Sequence, residues 1–203
     1  MKRAVLAYVL LLSGLSASWL PAAETLEKIQ SMLVKPSVLC GRFDQHKRLT
    51  GLKKPLISRG RFCVVADKGV LWRTLHPFPS TLRITRDAII QFNGDRITMQ
   101  RDAKSEPVVR VIHSLMFALL GGDFAQLETL FQLDGAIRDK NWSLQLKARE
   151  PGLSKAINGI ALEGDAHVKS ITILEASGDR TTIVFSEIQT EDGAMGVDEA
   201  ALF

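Results

Sequence analysis

The sequence predicts a mainly β protein with a few short helices (α+β), built as a single curled antiparallel sheet. Three observations predict it. Between Val38 and Gln100 six short runs alternate apolar with polar residues, each run ending in turn residues. The same alternation returns late in the chain, most cleanly at Asn141–Arg149, where Trp142, Leu144, Leu146 and Ala148 interleave with Ser143, Gln145, Lys147 and Arg149. Between the two blocks lies an apolar helical stretch that stops at Gly121-Gly122. About ten strands in one sheet cannot lie flat, so the sheet curls. Its concave apolar face then needs a filler, which can be its own side chains, the helices, or a ligand.

Residues 1–23 read as a leader. Lys2 and Arg3 give a short positive end, Ala4–Leu12 is an unbroken apolar run, and small residues from Ser13 lead through Pro21-Ala22-Ala23 to the first acid, Glu24. That is the order of a secretory signal, cleaved within Leu20–Glu24; the alternative, a membrane anchor, is disfavoured by the short apolar core. The expected organisation is a signal peptide over 1–23 and one domain over 24–203. The expected location is the periplasm of a Gram-negative bacterium, an oxidising compartment. The 26 basic and 22 acidic residues give +4, and losing Lys2 and Arg3 with the leader leaves +2, too little to argue for nucleic acid. A content of 46% hydrophobic and 24% charged residues excludes disorder of the whole chain.

Glu24–Leu33 opens the domain as an amphipathic helix, with Leu26, Ile29, Met32 and Leu33 at helical spacing and Pro36 beyond its end. Strands follow at Val38–Leu49, Leu56–Val65, Val70–Leu75, Thr81–Thr85, Ala88–Phe92 and Arg96–Arg101. The loop His76–Ser80 carries two prolines, and Asn93-Gly94-Asp95 signals a tight hairpin. Alternation puts Leu39, Phe43, Phe62, Val64, Val70, Trp72, Leu82, Ile84, Ile90, Phe92, Ile97 and Met99 on one face. Arg42, Arg59, Arg61, Arg73, Arg83, Gln91, Arg96 and Gln100 fall on the other.

Ser105 and Pro107 start a helix over Val108–Leu120, apolar on most sides and therefore buried on most sides. Phe124–Leu130 is a second short helix. Asp134 and Asp139 read as turn residues. After Asn141–Arg149 come one helical turn at Leu153–Asn158 and strands at Gly159–Glu163, His167–Glu175 and Thr181–Ile188. From Gln189 the chain is acidic and rich in small residues, and it either packs late or stays loose.

Folding a hairpin about Thr50–Lys53 sets Cys40 opposite Cys63 on the arginine face, in the register that also aligns Phe43 with Phe62 and Val64. A cross-strand disulfide is expected in an oxidising compartment, with two free thiols as the alternative. His46, His76, His113 and His167 show no metal-ligand spacing, so no metal is expected. The chain has no GxSxG elbow, no phosphate loop and no nucleotide fingerprint, which argues against an enzyme. On residue type alone, Phe43, Phe62, Trp72, Phe92, Met99 and Trp142 are more often core than pocket lining.

The order of features is more specific than any one of them. After the leader and the short helix comes Phe43-Asp44-Gln45, then Gly60 opening the strand of Phe62. Trp72 lies twelve residues beyond Gly60 and Pro77 five further on; the helical insert and the Trp142–Leu146 strand follow. This series resembles the LolA/LolB-like lipoprotein-carrier superfamily, as a divergent LolA-like branch, over most of the domain. The resemblance implies an open, incomplete β-barrel with helices as a lid and an apolar cavity that shelters acyl chains without a cofactor. It implies lipid or lipoprotein cargo, a monomeric carrier, and donor and acceptor proteins at the inner and outer membranes. The cavity would be lined by Leu39, Phe43, Phe62, Val64, Val70, Trp72, Leu82, Ile84, Ile90, Phe92 and Met99. Leu115, Met116 and Leu119 from the helix and Trp142 and Leu144 from the later strand would complete it. The chain departs from LolA in one turn, where Ala66-Asp67 stands in place of a lid-fastening arginine. The competing reading is a non-enzymatic envelope sensor or binding module that meets a protein partner through the Pro77-Phe78-Pro79 loop; a secreted hydrolase comes third.

Overall fold

The computed structural model describes residues 22–94, 96–102, 111, 114, 115, 118, 124–190 and 193–203 of the chain. Among the described residues, eleven strands form one antiparallel sheet: β1 (Val38–Arg48), β2 (Leu56–Val65), β3 (Gly69–His76), β4 (Ser80–Ile84), β5 (Ala88–Asn93), β6 (Arg96–Asp102), β7 (Phe131–Arg138), β8 (Asn141–Ala148), β9 (Ile157–Gly164), β10 (Val168–Glu175) and β11 (Arg180–Gln189). Their order is β6-β5-β4-β3-β2-β1-β11-β10-β9-β8-β7, so two hairpin meanders are joined by the long-range pair of β1 with β11. β6 and β7 are the two edges, and the curled sheet does not close into a barrel.

Register fixes one continuous apolar face. Phe43 pairs with Phe185, Ile183 with Ile171, Ile171 with Leu162, and Leu162 with Leu144. On the other half Val64 pairs with Val70 and Val70 with Ile84, while Phe62 pairs with Trp72 and Trp72 with Leu82. Directly opposed residues share a face, so these rows all look into the concave side.

Helices fill that side. In α1 (Ala22–Met32) and just past its end, Leu26, Ile29 and Leu33 are buried, while Glu24, Glu27 and Lys28 are exposed. Within the mid-chain helix Val111, Ser114, Leu115 and Ala118 are buried at the i, i+3, i+4 and i+7 spacing of one helical face. Phe124 and α2 (Ala125–Leu130), with Leu127 and Leu130 buried, complete the cover, and Leu153 of α3 (Pro151–Ser154) joins the same core.

Three elements differ from the sequence expectation, the first being the helical turn expected at Leu153–Asn158, which lies at Pro151–Ser154 with Ile157 and Asn158 already in β9. β7 occupies residues expected to form turns, because Gly135 interrupts the alternation of Phe131, Leu133 and Ile137. The glycine admits α1: a Cβ there would stand 3.0 Å from Ile29 Cδ1 and 3.2 Å from Thr25 Cγ2. In β5 the phase is reversed. The two-residue turn Arg86-Asp87, tied by Thr85 N–H to Ala88 O at 2.9 Å, forces Ile89 opposite Ile84. Ile89 therefore joins the core, and Ile90, Phe92 and Ile97 fall on the outer face. Since Ile89 and Ile90 are both apolar, the turn decides between them.

Residues 193–203, including α4 (Val197–Ala200), lie on the outer face. Cys40 and Cys63 pair directly and form a disulfide. It is covered by Ala194 and packed against Met195, Leu202 and Phe203.

Candidate functional site

The site begins with a glycine. Gly60 sits opposite Phe43, and a Cβ there would come within 2.8 Å of Phe43 Cε1. Freed of that obstacle, the Phe43 ring lies flat on the Trp72 indole, centroids 3.8 Å apart. Phe62 and Phe185 meet edge to face at 5.0 Å, and Phe185 stands perpendicular to Trp72 at 6.2 Å. Four aromatic rings from β1, β2, β3 and β11 thus make one floor.

Above the floor lies an apolar pocket of about 40 Å³. Phe62, Val64, Trp72, Leu39, Phe185 and Ile188 come from the sheet, Leu33 and Val34 from the segment after α1, and Ala166, His167 and Val168 from the β9–β10 turn. Val34 N–H donates to Ala166 O at 3.0 Å and ties the segment after α1 to the β9–β10 turn.

The β9–β10 turn is rigidly held. Trp142 Nε1 donates to Asp165 O at 2.6 Å, Asp165 N–H to His167 O at 3.0 Å, and His167 N–H to Asp165 Oδ1 at 3.2 Å. Lys169 forms an ion pair with the Asp165 carboxylate. Burial pushes the Asp165 carboxyl up, but the Lys169 ammonium and the His167 N–H outweigh it and hold it below the usual carboxylate range. Inside this frame His167 Nε2 is buried with no protein hydrogen-bond partner.

The sequence-predicted residues divide into four groups. Leu39, Phe62, Val64 and Trp72 line the pocket, and Phe43 lies directly beneath it. Val70, Ile84, Leu82 and Met99 face the concave side deeper in the β3–β6 half, and Leu115, Trp142 and Leu144 belong to the same core. Met116 and Leu119 lie outside the described residues. Ile90 and Phe92 sit on the opposite face, where the Arg83 guanidinium stands 5.5 Å over the Phe92 ring. Sequence reasoning missed Phe185, Ile188, Leu33, Val34 and the 166–168 turn as site residues. The Thr181, Ile183, Phe185 alternation could have flagged Phe185, but only the β1–β11 pairing places it beside Phe43.

The outer face carries a second constellation. Arg42, Arg61 and Arg73 stand directly opposite one another on β1, β2 and β3. Glu199, 5% exposed, meets Arg61 Nε at 3.2 Å and Arg73 Nη1 at 3.6 Å, and Glu187 pairs with Arg42 at 3.1 Å. Among the described residues, Cys40, Cys63 and Glu199 form a cluster of possible metal ligands, but the two sulfurs are bonded to each other and offer no thiolate. At the Ala66-Asp67 turn, Asp67 pairs with Arg86 at 3.6 Å, in solvent. Among the described residues no helix is long and apolar enough to cross a membrane.

A family model for outer membrane lipoprotein carrier protein LolA-like chains matches residues 19–202. The chain belongs to this LolA-like family. No curated protein matches it. Among solved structures, a LolA superfamily protein from Nitrosomonas europaea is similar at 8% identity and TM-score 0.46, over 86% of this chain and 95% of that one. A DUF1329 family protein from Desulfovibrio piger is similar at 9% identity and TM-score 0.49, over 85% and 94%. The Pseudomonas aeruginosa MucA/MucB complex is similar at 15% identity and TM-score 0.46, over 88% of this chain and 62% of that one. The LolA-like membership matches the open, curled sheet of eleven strands with its few short helices.

Proposed function

We propose that this chain is a non-enzymatic periplasmic carrier that shelters the acyl chains of a lipoprotein or another lipid and moves them toward the outer membrane. The supporting observation is the apolar pocket over the Phe43–Trp72 floor, in a chain of the LolA-like family. At about 40 Å³ the pocket has room for a water molecule, not for an acyl chain. Uptake therefore requires the pocket to open, and we place its mouth at the seam between Leu33-Val34 and the β9–β10 turn. Separating Leu33 and Val34 from the β9–β10 turn exposes one buried leucine and breaks one hydrogen bond, a cost of about 3 kcal/mol. A chain of some fifteen methylenes gains roughly 12 kcal/mol on leaving water. The gain outweighs the opening cost for a chain that would otherwise meet water, and release then needs an apolar acceptor that buries the chain equally well.

The test is native mass spectrometry of the mature protein, gently purified from its own envelope. Co-purified acyl lipid, or saturable uptake of an acyl probe by the delipidated protein, is the expected result. Protein that emerges lipid-free and ignores the probe sinks the carrier reading. A second reading, an envelope binding module without lipid cargo, is favoured by Phe78, 81% exposed between Pro77 and Pro79. It requires a specific envelope partner that is lost in Phe78→Ala.

A further inference from the structure

The pocket wall contains one polar side-chain atom that the fold does not use. His167 lines the pocket, yet its Nε2 is buried and bonds to no protein group. Buried polar atoms are almost always paired, and leaving one unpaired costs about 1–3 kcal/mol. The fold does not merely tolerate this side chain through looseness. Asp165, Trp142 and Lys169 fasten the turn through four contacts that pin the backbone on both sides of His167. Gly164 allows this close fit: a Cβ there would lie 2.3 Å from His167 O and 2.6 Å from Trp142 Cζ2. A rigid frame that holds a buried, unpaired nitrogen on a residue lining an apolar pocket is the arrangement of a ligand site, where few polar groups set orientation.

Resting on the carrier reading above, we infer that His167 is the polar anchor of the site: its Nε2–H donates to the carbonyl oxygen of a fatty acyl ester whose hydrocarbon chain enters over Trp72. An acyl ester suits the geometry because its one strong acceptor sits at the end of an otherwise apolar chain. The chain would lie on the aromatic floor, and the carbonyl would stop at the Ala166–Val168 turn. The histidine thereby selects ester-linked chains over plain hydrocarbon and sets how deep they go.

The test measures quenching of tryptophan emission by two brominated probes of equal length, an acyl methyl ester and an alkane, in the mature protein and in His167→Phe and His167→Gln. Wild type should prefer the ester by about tenfold, the worth of one net hydrogen bond. His167→Phe keeps a ring without nitrogen and should lose the preference for the ester over the alkane. His167→Gln offers an N–H at similar reach and should restore the preference. Equal affinities in wild type, or an ester preference that survives in His167→Phe, overturns the assignment of His167 and leaves the carrier reading standing. No quenching by either probe overturns both.

Discussion

Phe43 and Trp72, twenty-nine residues apart, stack face to face at 3.8 Å across a gap that Gly60 leaves in the strand between them. The contact joins β1 to β3 over the top of β2. It makes the aromatic floor part of the core, since Phe43 is 1% exposed, while Trp72 remains accessible from the pocket. One ring pair thus serves stability on one side and the site on the other.

Gly60→Ala should be among the most damaging small substitutions in the sheet. The added Cβ would fall 1.9 Å from Arg73 O, a backbone atom that cannot rotate away, as well as on the Phe43 ring. A loss of about 3 kcal/mol or more is expected in urea unfolding. Gly159→Ala is the matched control, because its Cβ meets only Leu146 O at an ordinary 3.5 Å. Similar midpoints for the two variants would refute the steric account.

Glu199→Ala should release the C-terminal segment. The carboxylate bridges Arg61 and Arg73, caps its own helix through Gly196 N–H at 3.0 Å, and lies over the disulfide. Without it, two arginines face each other unpaired. Cys40 and Cys63, each 1% exposed, should then be reduced by dithiothreitol at least tenfold faster, as followed by thiol labelling. An unchanged reduction rate would show that the segment stays in place without its ion pair.

The pH response of the mouth has a defined sign. Asp165 is held below its ordinary value, so its contribution is present above the unfolded carboxylate value, about 4, and is lost as pH falls through the lower folded one. Lys169→Ala removes the leading group that pulls it down. The Asp165 carboxyl resonance should titrate at higher pH in that variant than in wild type, and the turn should loosen correspondingly earlier on acidification. Coincident titration curves would remove Lys169 from the account.

Local pattern made much of the fold legible. The Cys40–Cys63 pairing followed from a hairpin whose hydrophobic and cysteine registers agree, and that register is the observed one. What stayed hidden depended on distant partners. β7 was obscured by Gly135, whose reason is the Ile29 side chain packed against it from α1. Ile89 and Ile90 are equivalent as residue types, and only the Arg86-Asp87 turn separates them. Phe185 enters the site through the β1–β11 pair, which no local signal announces. His167 belongs to no motif, and its interest lies wholly in what its Nε2 lacks. Glu199 looked like one acid in an acidic tail until the arginine row was placed beneath it.

If the proposed carrier reading holds, Val34→Pro should speed exchange of an acyl probe without emptying the pocket. The mouth is tied by Val34 N–H to Ala166 O, and proline has no N–H to give. Proline also biases the preceding residue toward extended backbone, and Leu33 already lies beyond the end of α1, so helix disruption should be slight. The side chain itself is half exposed, so the substitution changes little buried area. Losing one backbone hydrogen bond costs about 1 kcal/mol, which lowers the barrier to opening by roughly fivefold in rate. Stopped-flow tryptophan quenching by an acyl probe should show both uptake and release faster by that factor, with equilibrium affinity almost unchanged. Val34→Ala keeps the N–H and should behave like wild type. If the proline variant exchanges probe at the wild-type rate, chains enter elsewhere, and the seam between α1 and the β9–β10 turn is a structural contact rather than a door.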